Sequence, residues 1–288
     1  MTLILNSLEI IILVEDYAGF TSLMAEHGFS ALVSIKYEGE RNYNLLFDTG
    51  QTGRALFENA ERLNIDLSSV EVIVLSHRHY DHTGGLPKLI EPLKEKPLIA
   101  HPAITRPCID VSKEFVRLNI GLPLETREAL ANFELITVKE ALRLAPDVWF
   151  LGEVERVYDN RYAIKGFNTL VDGDIIEEPM PDDTGLAIKV GDKAVVLAGC
   201  SHSGISNIVR QAKKVVGAHG VIVVGGLHLV SADGIVINRV INELLDEGVE
   251  EVYMGHCTGL RGEAKLLEAF KDKAHKIHSG YRIKVRAK

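Results

Sequence analysis

The chain has 288 residues, 46% of them hydrophobic and 25% charged, with a formal net charge of −8. That is an ordinary globular balance, long enough to bury a core without disulfide or metal staples, and it excludes disorder as the dominant state. The acidic balance disfavours a nucleic-acid surface. The longest apolar run near the start, Leu8 to Val14, is interrupted by Glu9 and falls far short of the ~20 residues of a membrane span.

Taken in chain order, short runs rich in Val, Ile and Leu read as buried strands: Glu9 to Val14, Ser30 to Tyr37, Asn44 to Phe47, Val70 to Leu75, Pro97 to Ala100, Ala194 to Ala198, Val221 to Val224 and Glu251 to Met254. Between them, helix-period apolar sets run from Arg54 to Leu63, Ile205 to Val216, Ile237 to Leu245 and Ala264 to Phe270. Interleaved strands and helices predict an α/β fold. The stretch from about 101 to 181 is less regular, holds six prolines and a helical segment near Thr126 to Asn132, and reads as an insertion within a single domain covering 1–288. The segment from Lys271 to Lys288 reads as a solvated helix end followed by an edge strand. Gly173 and Gly191 are read as turns, and no dinucleotide or nucleotide phosphate loop is present. No signal peptide is expected, and three cysteines in a chain of this length point to a reducing, cytoplasmic compartment.

The chemistry concentrates in His77-Arg78-His79-Tyr80-Asp81-His82, directly after a strand. In α/β sheets, sites form at the carboxyl ends of strands. A turn there can aim His77 and His79 at one ion and Asp81 and His82 at a neighbour. Imidazole with carboxylate suits zinc, iron or manganese. Gly84-Gly85 follow and permit a tight backbone.

This H-x-H-x-D-H sextet resembles the signature of the metallo-β-lactamase superfamily, and three later or earlier motifs agree with it in order. Phe47-Asp48-Thr49-Gly50 looks like the family's first motif, which makes Asp48 an outer partner of a metal-binding histidine. Gly199-Cys200 stands where the family has Gly-Asp with a bridging aspartate, and Gly255-His256 matches its last histidine, a ligand of the second metal. The resemblance implies a four-layer αβ/βα sandwich with two divalent ions, zinc foremost and magnesium or manganese as alternatives. It also implies His77, His79, Asp81, His82 and His256 as metal ligands, with Asp81 a catalytic group as well.

One departure stands out. The family's third histidine for the first metal precedes the Gly-Asp motif, yet no histidine lies between Leu144 and Gly199. His202 is the nearest replacement. Cys200 either bridges as a thiolate or is a small buried residue, and Cys257 is read as structural.

A narrower set adds Gly199-Cys200-Ser201-His202-Ser203-Gly204-Ile205, Gly225-Gly226-Leu227-His228-Leu229 and Gly255-His256-Cys257-Thr258-Gly259. It looks like the branch containing archaeal 7,8-dihydropterin-6-methyl-4-(β-D-ribofuranosyl)aminobenzene 5′-phosphate synthases and many metal-dependent hydrolases. That implies a methanopterin-pathway transferase joining an arylamine to a dihydropterin methyl diphosphate. The alternatives are a phosphoester or ester hydrolase and a non-enzymatic metal or redox module. The expected partner is a phosphorylated small molecule, with neither nucleic acid nor membrane, and self-association is left open.

His228 is a candidate catalytic residue that could donate to a substrate phosphate, against a core histidine. His101 borders the site at most, while His27, His219, His275 and His278 are read as surface or structural. Ser203 is read as the N-cap of the helix starting at Ile205 rather than as a phosphate site. Arg106, Lys165, Arg261 and Lys265 are basic candidates for phosphate that sequence alone does not separate.

Overall fold

The computed structural model describes residues 3–112 and 115–287. Along Leu5–Val14 the side chains of Leu8, Ile10 and Ile12 enter one buried cluster, and those of Ile11 and Leu13 enter another. The same alternation divides Val72 and Val74 from Ile73, and Val195 and Leu197 from Ala194 and Val196. Successive side chains of a strand point to opposite faces, so a strand apolar throughout must be covered on both. Covering each sheet twice produces the layered sandwich.

Two seven-stranded sheets face each other. The first runs in the order Arg282–Arg286, Leu5–Val14, Ser30–Tyr37, Asn42–Phe47, Val72–Val74, Pro97–Ala100 and Glu134–Thr137. The second runs Ala274–Lys276, Val249–Gly255, Gly220–Gly226, Lys193–Ala198, Gly185–Val190, Val148–Phe150 and Leu142–Ala145. One apolar cluster fills the space between them, and two more lie under helices on the outer faces. Helix Arg54–Arg62 covers the first sheet, and Ile205–Val216, Gly234–Asp246 and Gly259–Phe270 cover the second. This is the four-layer α/β arrangement expected from the motifs. None of the described helices is long and apolar enough to cross a membrane.

Each sheet has an antiparallel half and a parallel half. Asn42–Phe47, Val72–Val74 and Pro97–Ala100 are parallel neighbours, as are Lys193–Ala198, Gly220–Gly226 and Val249–Gly255. Their carboxyl ends therefore open at one edge of the sandwich, where every motif singled out in the sequence is placed.

The segment 101–181 divides into two parts. Glu134–Thr137, Leu142–Ala145 and Val148–Phe150 are built into the large sheets, whereas Ile109–Ser112, Phe115–Asn119, Phe167–Val171 and Asp174–Glu177 form a small sheet of their own. Gly173, with φ of 92°, makes the tight turn between the last two strands. The final strand, Arg282–Arg286, lies at an edge as the sequence predicts.

Arg78 sits inside the sextet but points away from its histidines into the interior. Its guanidinium pairs with Asp182 and, at 2.6 Å, with Glu178, and its backbone N–H donates to Asp182 Oδ2 at 2.9 Å. All three side chains are buried. This ties the sextet to the chain leading into Gly185–Val190. Removing one partner of a buried charge group leaves the others uncompensated, so Arg78→Ala should cost about 3–5 kcal/mol of unfolding free energy in a urea titration. A loss under about 1 kcal/mol would show that Glu178 and Asp182 do not depend on the arginine.

Candidate metal centre

The turn after Val72–Val74 places His77 and His79 to one side and Asp81 and His82 to the other. Gly199–His202, after Lys193–Ala198, supplies residues to both sides. His77, His79 and His202 come together as one buried group, and Asp81, His82, Cys200 and His256 as a second, the candidate ligand atoms of each lying within 4.8 Å of one another. The residues of the sextet thus divide between the two groups, with His202 beside His77 and His79 in the first and Cys200 in the second.

Each imidazole is oriented from behind. Asp48 accepts from Ser76 N–H at 2.7 Å and, through Oδ2, from Ser76 Oγ at 2.7 Å and His82 Nδ1 at 2.8 Å. Since Ser76 gives its only hydroxyl proton to that carboxylate, its oxygen accepts from His77 Nδ1 at 2.9 Å. One carboxylate therefore sets the tautomer of a histidine in each group. His202 donates Nδ1–H to the Ala163 carbonyl at 2.6 Å, and His79 Nε2 contacts Cys108 Sγ at 3.4 Å. The Nε2 atoms of His77 and His202 are left buried without a partner.

His256 is fixed by residues the sequence reading did not select. Its Nδ1 donates to Asp16 Oδ1 at 2.8 Å, and its backbone N–H is held by the buried carboxylate of Glu15. Gly255 allows this approach, because a Cβ there would lie 2.3 Å from Glu15 Oε1. The only sequence signal was an acidic pair directly after the apolar run Ile10 to Val14. Asp48, Ser201, His228 and His256 all adopt positive φ, between 46° and 64°. Such backbones cost about 1–3 kcal/mol each and persist only where their surroundings over-determine them.

The second group has the dimensions of a cation site. His82 Nε2 lies 3.1 Å from Cys200 Sγ and 3.2 Å from His256 Nε2; Cys200 Sγ to His256 Nε2 is 3.2 Å; Asp81 Oδ2 lies 3.4 Å and 3.3 Å from the two nitrogens. A tetrahedron of ligands about 2.0 Å from a zinc ion has edges of roughly 3.3 Å. With both Nδ1 protons committed to carboxylates, the two Nε2 lone pairs face each other and need positive charge between them. The electrostatics agree. Burial disfavours a charged ring at His82, but Asp81 and Asp48 outweigh it and push its pKa up to about 9. Burial alone would raise Asp81, yet His82 and His256 hold it well below the usual carboxylate range. In the other group burial keeps the rings neutral, with His79 pushed down to about 3 and His77 and His202 well below the ordinary value. Neutral imidazoles with unpartnered, buried nitrogens fit a divalent ion.

Both groups open into a pocket of about 310 Å³, whose wall also includes Tyr80, Ile120, Phe167, His228 and Val230. The ring of Phe167, from the small sheet, stands edge-on to His79 and His202 at 5.1 Å. His228 packs on His202 at 4.3 Å with a buried, unpartnered Nδ1. Cys257 also lines the pocket, its thiol 3.5 Å from the Cys200 carbonyl.

One expectation is corrected, for Ser203, and two histidines are placed. His27 is exposed, as the sequence reading has it, but it also lines the pocket, its Nδ1 2.9 Å from Asp16 Oδ2. Ser203 does not cap the helix at Ile205, because its hydroxyl and N–H bond to Asp183 Oδ2 across the chain and Gly204 stands at the cap. His101 turns to the Ala103 N–H and Glu153, outside the pocket wall. None of Arg106, Lys165, Arg261 and Lys265 lines the pocket; Arg106 bonds Thr169, and Lys265 pairs with Glu268.

Residues 29–207 match the family model of the metallo-β-lactamase superfamily. The chain is 34% identical to 7,8-dihydropterin-6-methyl-4-(β-D-ribofuranosyl)-aminobenzene-5′-phosphate synthase of Methanocaldococcus jannaschii over 97% of each chain. It is similar to the solved structure of Tm1679, a metal-dependent hydrolase of the β-lactamase superfamily, with a TM-score of 0.81 and 27% identity over 97% of this chain and 99% of that one. A diphosphatase of the PhnP family shares the fold, with a TM-score of 0.52 and 14% identity over 99% of each chain.

Elemental analysis after dialysis tests the two groups. His79→Ala and Asp81→Ala should each strip metal and activity together, and full metal content in both would refute the grouping. Asp48→Ala, which frees the His77 and His82 rings without removing a ligand, should weaken metal binding about 10–100-fold.

Proposed function

The chain belongs to the metallo-β-lactamase superfamily, and we propose that it is a metal-dependent transferase of methanopterin biosynthesis, joining a dihydropterin methyl diphosphate to a ribofuranosylaminobenzene 5′-phosphate with release of diphosphate. The observation that carries this is 34% identity to a synthase along 97% of both chains. In this reading His77, His79 and His202 hold one divalent ion and Asp81, His82 and His256 the other, with Cys200 within reach of the second. Zinc is the first choice from the donor set, with magnesium or manganese as alternatives. Bound there, the ions would neutralise the diphosphate and stabilise the oxygen on which it departs.

The remaining work falls to the pocket wall. Phe167, Ile120, Tyr80 and Val230 offer apolar surface to flat rings, and His228 offers a ring nitrogen to a substrate phosphate or oxyanion. The arylamine nitrogen attacks the methylene carbon, the C–N bond forms, the C–O bond breaks with its electron pair leaving on diphosphate, and the nitrogen then loses one proton to water or to the departing diphosphate. The free thiols of Cys108, Cys200 and Cys257 support a reducing, cytoplasmic setting.

A second reading, a binuclear phosphoester or ester hydrolase, is favoured by the similarity to Tm1679. There Asp81 would position a water for attack. Diphosphate release from dihydropterin methyl diphosphate by zinc-loaded protein separates the two. The transferase predicts release only when the arylamine phosphate is added, in one-to-one ratio with coupled product. Equal release without the arylamine would replace this reading with the hydrolase.

A further inference from the structure

Five histidines line the pocket: His27, His79, His202, His228 and His256. Three belong to the two buried groups proposed to hold ions, which leaves His27 and His228 for substrate. Neither lysine nor arginine is among the described residues of the wall. Two substrates, one carrying a diphosphate and the other a phosphate, call for hydrogen-bond donors beyond the ions, and these rings are the ones the wall offers.

His27 is built for this. Its Nδ1 lies 2.9 Å from Asp16 Oδ2 and its Nε2 3.5 Å from Asp81 Oδ2, so each nitrogen faces a carboxylate as a donor. The ring stands 5.3 Å from that of His256 and 6.3 Å from that of Tyr80, with about half of the side chain open to solvent. Its place is not left to a loose loop. Gly28 packs so closely that a Cβ would lie 2.1 Å from the Asp81 carbonyl, and its N–H donates to Asp16 Oδ1 at 3.0 Å. Asp16 thus clamps two rings, His256 on one oxygen and His27 on the other.

We propose that His27, clamped by Asp16 at the edge of the second group, is a substrate-binding residue whose Nε2–H donates to the diphosphate of the bound substrate and of the released product. This rests on the transferase reading above, in which diphosphate is the leaving group. His228 lies on the opposite side, against His202, and is left for the other phosphate-bearing half of the reaction.

Inorganic diphosphate is the probe, titrated calorimetrically into zinc-loaded protein whose metal content is measured in parallel. His27→Gln, which keeps a polar side chain but removes the ring donor held by Asp16, should weaken diphosphate about 10–100-fold at unchanged metal content. His27→Lys should recover a measurable part of that loss, which a merely structural role would not produce. Diphosphate bound by His27→Gln as tightly as by the parent protein overturns the proposal. So does loss of a metal ion from that variant, which would make His27 a ligand instead. Failure of the metal-loaded parent protein to bind diphosphate at all overturns the leaving-group reading itself, and is told apart because it appears before any substitution.

Discussion

The geometry of the metal centre depends on one buried carboxylate. Asp48 stands at the end of Asn42–Phe47 with its N–H bonded to the Val74 carbonyl, so its position follows from the pairing of two central strands. From there it accepts from His82 directly and reaches His77 through Ser76 Oγ. An imidazole with a free tautomer and a free ring torsion is a poor ligand, because its lone pair points toward the site for only part of the time. A buried carboxylate that holds the proton on Nδ1 removes that freedom in both groups at once. Gly199 completes the arrangement, since a Cβ there would lie 2.2 Å from Ser76 Oγ and 2.8 Å from Asp48 Oδ2. The strand of the second sheet can approach the carboxylate only through a residue without a side chain.

The two groups differ in charge although they share this support. His77, His79 and His202 are neutral donors kept so by burial, and their only compensation for an ion is the softness and number of their nitrogens. The second group adds Asp81 and the Cys200 thiol within the same few ångströms, and Asp16 and Glu15 stand behind His256. An excess of negative charge on that side draws a divalent ion more strongly and leaves it less electrophilic than its neighbour. The same excess fits a pocket wall without lysine or arginine among the described residues: cations held by these groups would offset its acidic side chains.

How much of this was legible follows from whether each signal is local. Strands covered on both faces read as continuous apolar runs, so most central strands were bounded within about two residues, and Ser30–Tyr37 and Pro97–Ala100 without error. The sextet was legible because its four ligand-type side chains are contiguous, and His202 because it was the nearest histidine to a missing one. Asp16 and Glu15 were not, since what defines them is a bond to His256, 240 residues away, which no local pattern encodes. His27 was hidden for the same reason. Ser203 was misread because a serine before a helix is a good cap in isolation, and here the buried Asp183 takes its hydroxyl. The strands between 134 and 150 escaped notice because they are three or four residues long and their partners, such as Gly185–Val190 for Val148–Phe150, lie far along the chain.

The pocket wall also bears on which chemistry the centre performs. A hydrolase needs water delivered to the reacting carbon or phosphorus, whereas a transferase to an arylamine must keep water from competing with the amine. Above the two groups the wall is Phe167, Ile120 and Val230, with Tyr80 beside Asp81. Phe167 comes from the small sheet, whose hairpin Phe167–Val171 and Asp174–Glu177 carries it over the imidazoles of His79, His202 and His228. That sheet adds nothing to either large sheet and leaves Leu170, Ile175 and Ile176 exposed, so its contribution to the apolar core is small. What it contributes to the site is an aromatic roof, and a roof over the reacting carbon favours the acceptor that can stack beneath it over the solvent that cannot.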